Sequence, residues 1–236
     1  MFKIDTRIRY SEVDGTGQLR LSALMNLFQD VGEFHTESAG YTLDRLIDEK
    51  IGWYVLCYDV KVNRLPHVGE NVSLGTSASS FKGFLADRNH EIIDDDGNLI
   101  VIAHSYWTLM NLNTIRPIKV PVEMQEGYGI EAAREWDYCG RKLSVPENAT
   151  VSYEFVVDRT KLDSNGHMNN AFYIEAAAAA LPEGVNINRF QIEYRKQVVL
   201  GDRVIVKTVK EKDWYGIIMA SESDEIYSIV NMYTEV

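Results

Sequence analysis

The sequence contains an internal repeat that predicts two similar structural units. Residues 13–18 read VDGTGQ and residues 162–167 read LDSNGH, and each string precedes a long amphipathic segment. Asp14 and Gly17 recur as Asp163 and Gly166, at a constant offset of 149 residues (163 − 14 and 166 − 17). A repeat that keeps its turn-forming residues over this distance is typical of a duplicated domain.

The two copies of the repeat differ at positions that carry reactive side chains. Thr16 and Gln18 of the first copy become Asn165 and His167 in the second. Asp163, Asn165 and His167 therefore stand at alternate positions of one tight loop, which can point all three side chains into one cleft. We expect these three residues to share a catalytic role.

The composition restricts the partners and the compartment. A net charge of −11 on 236 residues argues against nucleic acid and anionic membranes, because phosphate binding needs concentrated Lys and Arg. An acidic protein partner stays open if a local basic patch receives it. The first residues lack the apolar core of a signal peptide and no apolar run could span a bilayer, so we expect a cytoplasmic protein without membrane insertion. Cys57 and Cys139 have no CxxC partner or nearby His, and we expect neither a metal nor a cofactor.

The spacing of apolar residues predicts a long helix and several strands in each half. Leu24, Leu27, Phe28 and Val31 stripe one face of a helix over residues 22–38, and residues 42–50 predict a second, short helix. Alternation indicates strands over residues 53–60, 71–79, 86–93 and 99–112. The second half repeats this order, with a strand over 150–157, a helix over 169–181, and strands over 190–196, 203–209, 214–221 and 226–233.

Each half thus has one helix stripe to bury, and the simplest solution is to wrap a curved antiparallel sheet around it. The alanine-rich helix over residues 169–181 would let a sheet approach closely. We predict an N-terminal domain over residues 1–112 and a C-terminal domain over residues 149–236. Residues 113–148 contain three of the five prolines and show neither helical nor strand periodicity of apolar residues. This predicts a connection across the surface.

These features together resemble the acyl-acyl carrier protein (acyl-ACP) thioesterases. The resemblance is carried by residues 163–170 (DSNGHMNN) and 173–175 in the second half, and by residues 89–92 (NHEI) and 105–114 (SYWTLMNLNT) in the first. It implies an α+β tandem double hotdog fold, in which a curved antiparallel sheet wraps a long helix in each half. The implied reaction is hydrolysis of fatty acyl-ACP to free fatty acid, which ends chain elongation in fatty acid biosynthesis. The implied partner is ACP with a phosphopantetheine-linked acyl chain, and a homodimer stays open.

The sequence departs from the family pattern on the strand after the second loop. The family usually places an acid there, followed in plant members by a cysteine, and the aligned residues here are Gln197 and Val198. A cysteine nucleophile is therefore absent at that position. A glutamate base is absent too, unless Glu193 substitutes for it.

The second loop offers groups for hydrolysis by direct attack of water. Asp163 is the best general base and His167 the alternative, while Asn165 can orient either the water or the histidine. Backbone amides near Gly166 and Met168 are expected to hold the developing oxyanion. The equivalent Asp14 of the first half is expected only to cap its helix.

The N-terminal domain is expected to form the acyl-chain pocket, lined by its helix and strands. The candidates are Leu24, Phe28, Trp53 and Trp107, although ordinary core packing is the preferred interpretation for any single one of them. Gln29, Glu33 and His35 lie on or beside the same helix, where a solvated face is the preferred interpretation.

Three alternatives to acyl-ACP hydrolysis remain at this stage. An acyl-CoA thioesterase would share the chemistry, and basic residues at the mouth would favour the acidic carrier protein instead. The candidates for such residues are Lys82, Arg116, Lys119, Arg195 and Lys196. A non-hydrolytic acyl-thioester-binding protein would explain Gln197, and a dehydratase fits the Asp-x-Asn-x-His loop less well.

Overall fold

A computed structural model describes residues 1–234, which form four helices and eleven strands. The helices are α1 (Leu21–Ser38), α2 (Leu43–Glu49), α3 (Val122–Tyr128) and α4 (Asn170–Ala179). The strands of the first half are β1 (Phe2–Arg7), β2 (Ile51–Val62), β3 (Asn71–Lys82), β4 (Leu85–Asp94), β5 (Leu99–Asn111) and β6 (Arg116–Ile118). Those of the second half are β7 (Thr150–Val156), β8 (Ile187–Tyr194), β9 (Arg203–Lys210), β10 (Trp214–Ala220) and β11 (Ile226–Thr234).

The strands form one antiparallel sheet with an internal symmetry. Their order is β1-β3-β4-β5-β2-β8-β11-β10-β9-β7, with β6 paired to β5. Read outward from the centre, the two halves have the same order of equivalent strands, as the sequence repeat predicted. The halves meet where β2 pairs with β8, with Cys57 opposite Glu193 and Lys61 opposite Arg189.

Helices α1 and α4 pack against each other and share one core with the sheet. The predicted stripe of α1 is confirmed, since Leu24, Leu27, Phe28 and Val31 are all buried. The alanines of α4 divide between two environments: Ala171, Ala176 and Ala177 are buried, whereas Ala178 and Ala179 are exposed. Close approach of the sheet therefore accounts for only part of the alanine run.

Residues 116–128 are more ordered than the sequence predicted. Strand β6 and helix α3 form there, and Met124 and Tyr128 of α3 are buried in a second cluster with Leu46 and Leu109. The expectation of no regular structure in this stretch was wrong, because seven helical residues are too few to show a period. The domain boundaries at residues 112 and 149 stay a prediction.

The rest of the connection crosses the outer face of the sheet, opposite the helices. The Glu131 amide donates to Ala78 O on β3 and the Arg134 amide to Asn89 Oδ1 on β4. The ring of Tyr138 stacks on His104 of β5 at 3.8 Å.

Further along, the connection reaches the central strands. The Cys139 amide donates to Asp59 Oδ2 on β2 at 2.7 Å, and the Leu143 amide to Glu193 Oε2 on β8 at 2.9 Å. The connection thus meets β3, β4, β5, β2 and β8 in their spatial order, and it buries polar groups that would otherwise face water.

The connection ends against β10, where Pro146 lies on Gly216. A Cβ on Gly216 would come within 2.7 Å of the proline ring, so this contact requires glycine. None of the helices in residues 1–234 has both the length and the apolar character needed to span a membrane.

Candidate active site

The second loop is held by the side chain of its own aspartate. Asp163 Oδ1 accepts the backbone amides of Asn165 at 2.8 Å and His167 at 3.1 Å. The Asp163 amide donates to His167 O, and Gly166 takes a φ of +78°, which glycine adopts without steric cost. The loop is therefore rigid before any substrate binds.

The first loop has the same construction. Asp14 Oδ1 accepts the amides of Thr16 at 2.8 Å and Gln18 at 3.1 Å, and Gly17 has a φ of +84°. It differs in that the Thr16 hydroxyl also donates to Asp14 Oδ1 at 2.7 Å. The two loops thus share one backbone geometry although their side chains differ at positions 165 and 167. The fold of the second loop therefore does not depend on the side chains of Asn165 and His167, which are available for chemistry.

A cavity of about 280 Å³ lies where the two halves meet. The first half contributes α1, α2 and the neighbouring strands, with apolar side chains that include Leu46, Trp53 and Trp107. The second half contributes residues 163–165 and Asn170. The cavity thus joins the wall of one half to the reactive loop of the other.

The three predicted catalytic residues do not all face this cavity. Asp163 and Asn165 line it, whereas His167 is half-buried beside it, with its ring edge-on to Tyr54 at 6.2 Å. Within residues 1–234 no donor is hydrogen-bonded to Asp163 Oδ2, so this oxygen is free to accept a proton from water. Asn170, the first residue of α4, also lines the cavity and was not predicted from the sequence.

The predicted oxyanion donors both form hydrogen bonds within the protein. The Gly166 amide donates to Asp163 O at 3.1 Å and the Met168 amide to Val198 O at 2.8 Å. Both amides are therefore occupied by protein carbonyls. The Gly166 amide closes the turn of the loop itself. The Met168 amide is occupied because the loop pairs with residues 198 and 199, a long-range contact that local sequence does not reveal.

Glu193 is not a substitute base. Its carboxylate lies on the outer face of the sheet, where it accepts the Leu143 amide at 2.9 Å and pairs with Arg195 at 3.0 Å. Strand alternation directs its neighbours Ile192 and Tyr194 toward the helices instead. Gln197 is exposed beyond the end of β8 and does not line the cavity.

The predicted acyl-pocket residues separate into two groups. Trp53 and Trp107 line the cavity, whereas Leu24 and Phe28 are fully buried in the shared core and do not. For these two, ordinary core packing is the correct interpretation.

The expectation of a solvated helix face beside them holds for Glu33, which is exposed, but not for His35, which is buried. Gln29 and Glu33 line the cavity, and His35 is 6% exposed. Desolvation, reinforced by the nearby Glu37 carboxylate, raises the pKa of Glu33. This face of α1 therefore borders the cavity at Gln29 and Glu33 and is buried at His35.

One end of the cavity contains a cluster around Arg88 that the sequence did not indicate. Arg88 Nη1 donates to His35 Nδ1 at 3.0 Å and to Thr76 Oγ1 at 3.1 Å, and its guanidinium lies 5.2 Å from the ring centre of Tyr128. Because arginine only donates, His35 Nδ1 must be the acceptor and Nε2 carries the proton toward Tyr128 O, 3.3 Å away. A charged residue within a predicted strand was the available signal. The sequence did not show that the strand register turns the Arg88 side chain inward.

Protonation of His35 should destabilise the fold in acid. Burial, together with the positive charge of Arg88, lowers the pKa of His35 from 6.5 to about 4. The unfolded chain then binds more protons than the folded one between these pH values, so the free energy of unfolding should fall with pH from about 6.5 to about 4. The His35 contribution is about 3 kcal/mol. Urea unfolding across this range measures it.

The matched variants are His35→Asn and His67→Asn. Asparagine at position 35 keeps an acceptor for Arg88 and should flatten the pH dependence, although its absolute stability will differ. His67 is exposed, and its replacement should leave the wild-type pH dependence unchanged. Equal slopes for wild type and His35→Asn would contradict the assignment.

No group of three or more His, Cys, Asp or Glu in residues 1–234 is arranged to hold a metal ion.

Sequence comparison identifies the family. Residues 1–128 match the acyl-ACP thioesterase N-terminal domain, and residues 145–232 match the acyl-ACP thioesterase C-terminal domain. The chain belongs to the acyl-ACP thioesterase family. The resemblance drawn from residues 89–92, 105–114 and 163–170 is confirmed.

Individual relatives of this thioesterase family agree with the assignment. The chloroplastic palmitoyl-acyl carrier protein thioesterase of Arabidopsis thaliana is 26% identical over 215 residues, which cover 84% of this chain and 52% of that protein. The chain spans about half the length of the curated relatives that it matches first.

Solved structures confirm the tandem double hotdog fold. An acyl-ACP thioesterase from Bacteroides thetaiotaomicron has a TM-score of 0.89 at 21% identity, covering 99% of this chain and 97% of that one. The 12:0-ACP thioesterase from Umbellularia californica has a TM-score of 0.86 at 20% identity, covering 99% and 96%.

Proposed function

We propose that this chain hydrolyses the thioester of fatty acyl-ACP, releasing free fatty acid and the carrier protein. The observation that carries the proposal is the cavity, which places the apolar wall of the first half beside the Asp163 loop of the second. A thioester of a long acyl chain needs both surfaces at once. Family membership supports the same reaction.

In the proposed mechanism, water attacks the thioester carbonyl directly. Asp163 Oδ1 is fixed by two loop amides, so Oδ2 is the atom that takes the proton from water. Asn165, on the same wall, orients that water. The thiol of the phosphopantetheine arm leaves with a proton, and the carboxylic acid stays with the acyl chain.

The oxyanion needs donors other than the occupied amides of Gly166 and Met168. Asn170 is the best candidate, because it lines the cavity with Asp163 and opens α4. Its side-chain amide donates hydrogen bonds, and the N-terminus of a helix favours negative charge. His167, whose ring contacts Tyr54 beside the cavity, takes no direct step in this mechanism and remains the alternative base.

Basic residues that could bind an acidic carrier protein would favour acyl-ACP over acyl-CoA as the substrate. Arg195 and Lys196 are paired with Glu193 and Glu225, which weakens them as a docking patch for an acidic protein. Lys82, Arg116 and Lys119 make no ion pair within residues 1–234 and remain candidates.

Hydrolysis of one acyl group on both carriers tests the proposal. We expect a higher kcat/KM on ACP than on CoA, and a loss of this preference when Lys82, Arg116 and Lys119 are replaced together by serine. Faster turnover of acyl-CoA would contradict the ACP assignment. Stoichiometric binding of acyl-ACP with no thiol release at any chain length would instead support the non-hydrolytic alternative.

A further inference from the structure

Arg88 is the buried charge in this structure that has no counter-ion. Asp59, Glu91 and Glu193 are also buried, and each pairs with an arginine. Arg88 is 8% exposed, yet within residues 1–234 no carboxylate oxygen lies within 4 Å of its guanidinium. A buried charge without a partner is costly, so its retention at this position requires an explanation.

The hydrogen-bond partners of Arg88 are both neutral. His35 Nδ1 accepts from Nη1 as an uncharged imidazole, and Thr76 Oγ1 accepts while it donates its own proton to Asn89 O at 2.9 Å. Both partners contact the same nitrogen, Nη1. The remaining guanidinium nitrogens have no carboxylate partner in residues 1–234, so they can donate to a carboxylate in the cavity.

The guanidinium belongs to the cavity wall. Arg88 lines the cavity together with Thr36, Ala78 and Tyr128, while Asp163 and Asn165 line the part contributed by the second half. Along α1 the lining runs from Gln29 to Thr36, which is about 10 Å of helix. Arg88 contacts His35 and Tyr128 at the Thr36 end of this stretch, whereas the Asp163 loop is contributed by the other half of the protein.

We propose that Arg88 binds a carboxylate at the far end of the acyl chain, so that the preferred substrates are thioesters of dicarboxylic acids. This inference rests on the proposed function, because it takes the cavity as the acyl site. A terminal carboxylate would neutralise the buried guanidinium and accept two parallel hydrogen bonds from it. A terminal methyl group would leave the charge unpaired in the cavity.

Glu33 is the carboxylate that also lines this cavity near Arg88. It makes no ion pair within residues 1–234, so it does not serve as a direct partner in this arrangement. Its negative charge would oppose a second carboxylate. Glu33→Gln should therefore strengthen binding of a carboxylate-terminated chain.

A binding experiment without turnover tests the inference. Two amide analogues of the acyl-phosphopantetheine arm, with equal chain length and either a terminal carboxylate or a terminal methyl, are titrated against the full chain. Trp53 and Trp107 line the cavity and report binding by fluorescence. We expect the carboxylate analogue to bind at least about 10-fold more tightly, as one charge-assisted contact allows.

Two variants test whether Arg88 is responsible. Arg88→Met should abolish the preference for the carboxylate, and Arg88→Lys should keep part of it. Arg203→Met removes an exposed arginine outside the cavity and should leave the preference unchanged. If Arg88→Met does not fold, the wild-type comparison of the two analogues still decides.

The outcomes separate this inference from the proposed function. Equal or tighter binding of the methyl analogue, together with hydrolysis of the matching thioester, would overturn the role of Arg88 and leave the thioesterase proposal standing. Binding of neither analogue and hydrolysis of neither thioester would overturn both. A carboxylate preference that survives in Arg88→Met would also refute the assignment.

Discussion

Replacing Asp163 with asparagine should lower kcat by about 10²–10⁴ while leaving the fold intact, since loss of a general base has this range of effects. Asparagine keeps an oxygen that can accept the amides of Asn165 and His167, so the loop retains its shape. What is lost is the carboxylate of a cavity-lining residue, whose Oδ2 has no hydrogen-bond donor within residues 1–234. The measurement is single-turnover hydrolysis of acyl-ACP with a parallel urea unfolding curve.

The internal repeat supplies the matched control. Asp14 holds the first loop through the same two backbone contacts, but it does not line the cavity. Asp14→Asn should therefore retain kcat. Alanine at either position should cost about 0.5–2 kcal/mol of stability, because it removes the acceptor for the loop amides. Near-normal kcat in folded Asp163→Asn would show that another group is the base, and His167 would be tested next.

Much of the fold was predictable because it depends on local rules. The Asp and Gly of the two loops form the same turn through contacts of four residues or fewer, and this is why the repeat was readable in the sequence. The spacing of apolar residues likewise predicted the buried face of α1 and most of the strands. The predicted strand limits differ from the observed ones by a few residues at most.

The candidate site was predictable only in part because it depends on pairings between distant segments. The cavity exists because β2 pairs with β8 and brings Trp53 of one half near Asp163 of the other. The amides of Gly166 and Met168 were assigned to the substrate before their carbonyl partners could be known. Helix α3, which closes the cavity with Tyr128, was too short to predict.

Polar residues on the central strands gave a signal that could have been used. Asp59 and Glu193 alternate with core residues, a pattern that indicates an outer polar face on a sheet with one side in water. Their burial was not expected, because it requires the connection to lie across them. The connection is therefore part of the structural core, and its removal should be costly.

Replacing Arg189 with methionine should lower the free energy of unfolding by about 3–5 kcal/mol, the usual cost of leaving one member of a buried ion pair alone. Arg189 Nε donates to Asp59 Oδ1 at 2.9 Å and Nη2 to Asp59 Oδ2 at 2.7 Å, while Asp59 itself is 2% exposed. Without the guanidinium, the carboxylate retains only Gln191 Nε2 and the Cys139 amide. Urea unfolding at neutral pH measures the loss.

The control is Arg203→Met, which removes an arginine of the same sheet from an exposed ion pair. Arg203 contacts Glu154 at 2.5 Å, with both side chains about half-exposed, and its loss should cost less than about 1 kcal/mol. The two variants thus remove the same side chain and differ in the burial of the partner. Because Arg189 also donates to Asp137 O at 2.6 Å, its loss should free the connection, and proteolysis near residue 137 should accelerate in Arg189→Met alone. Equal stability of the two variants would mean that water reaches Asp59 and that the connection does not seal the outer face.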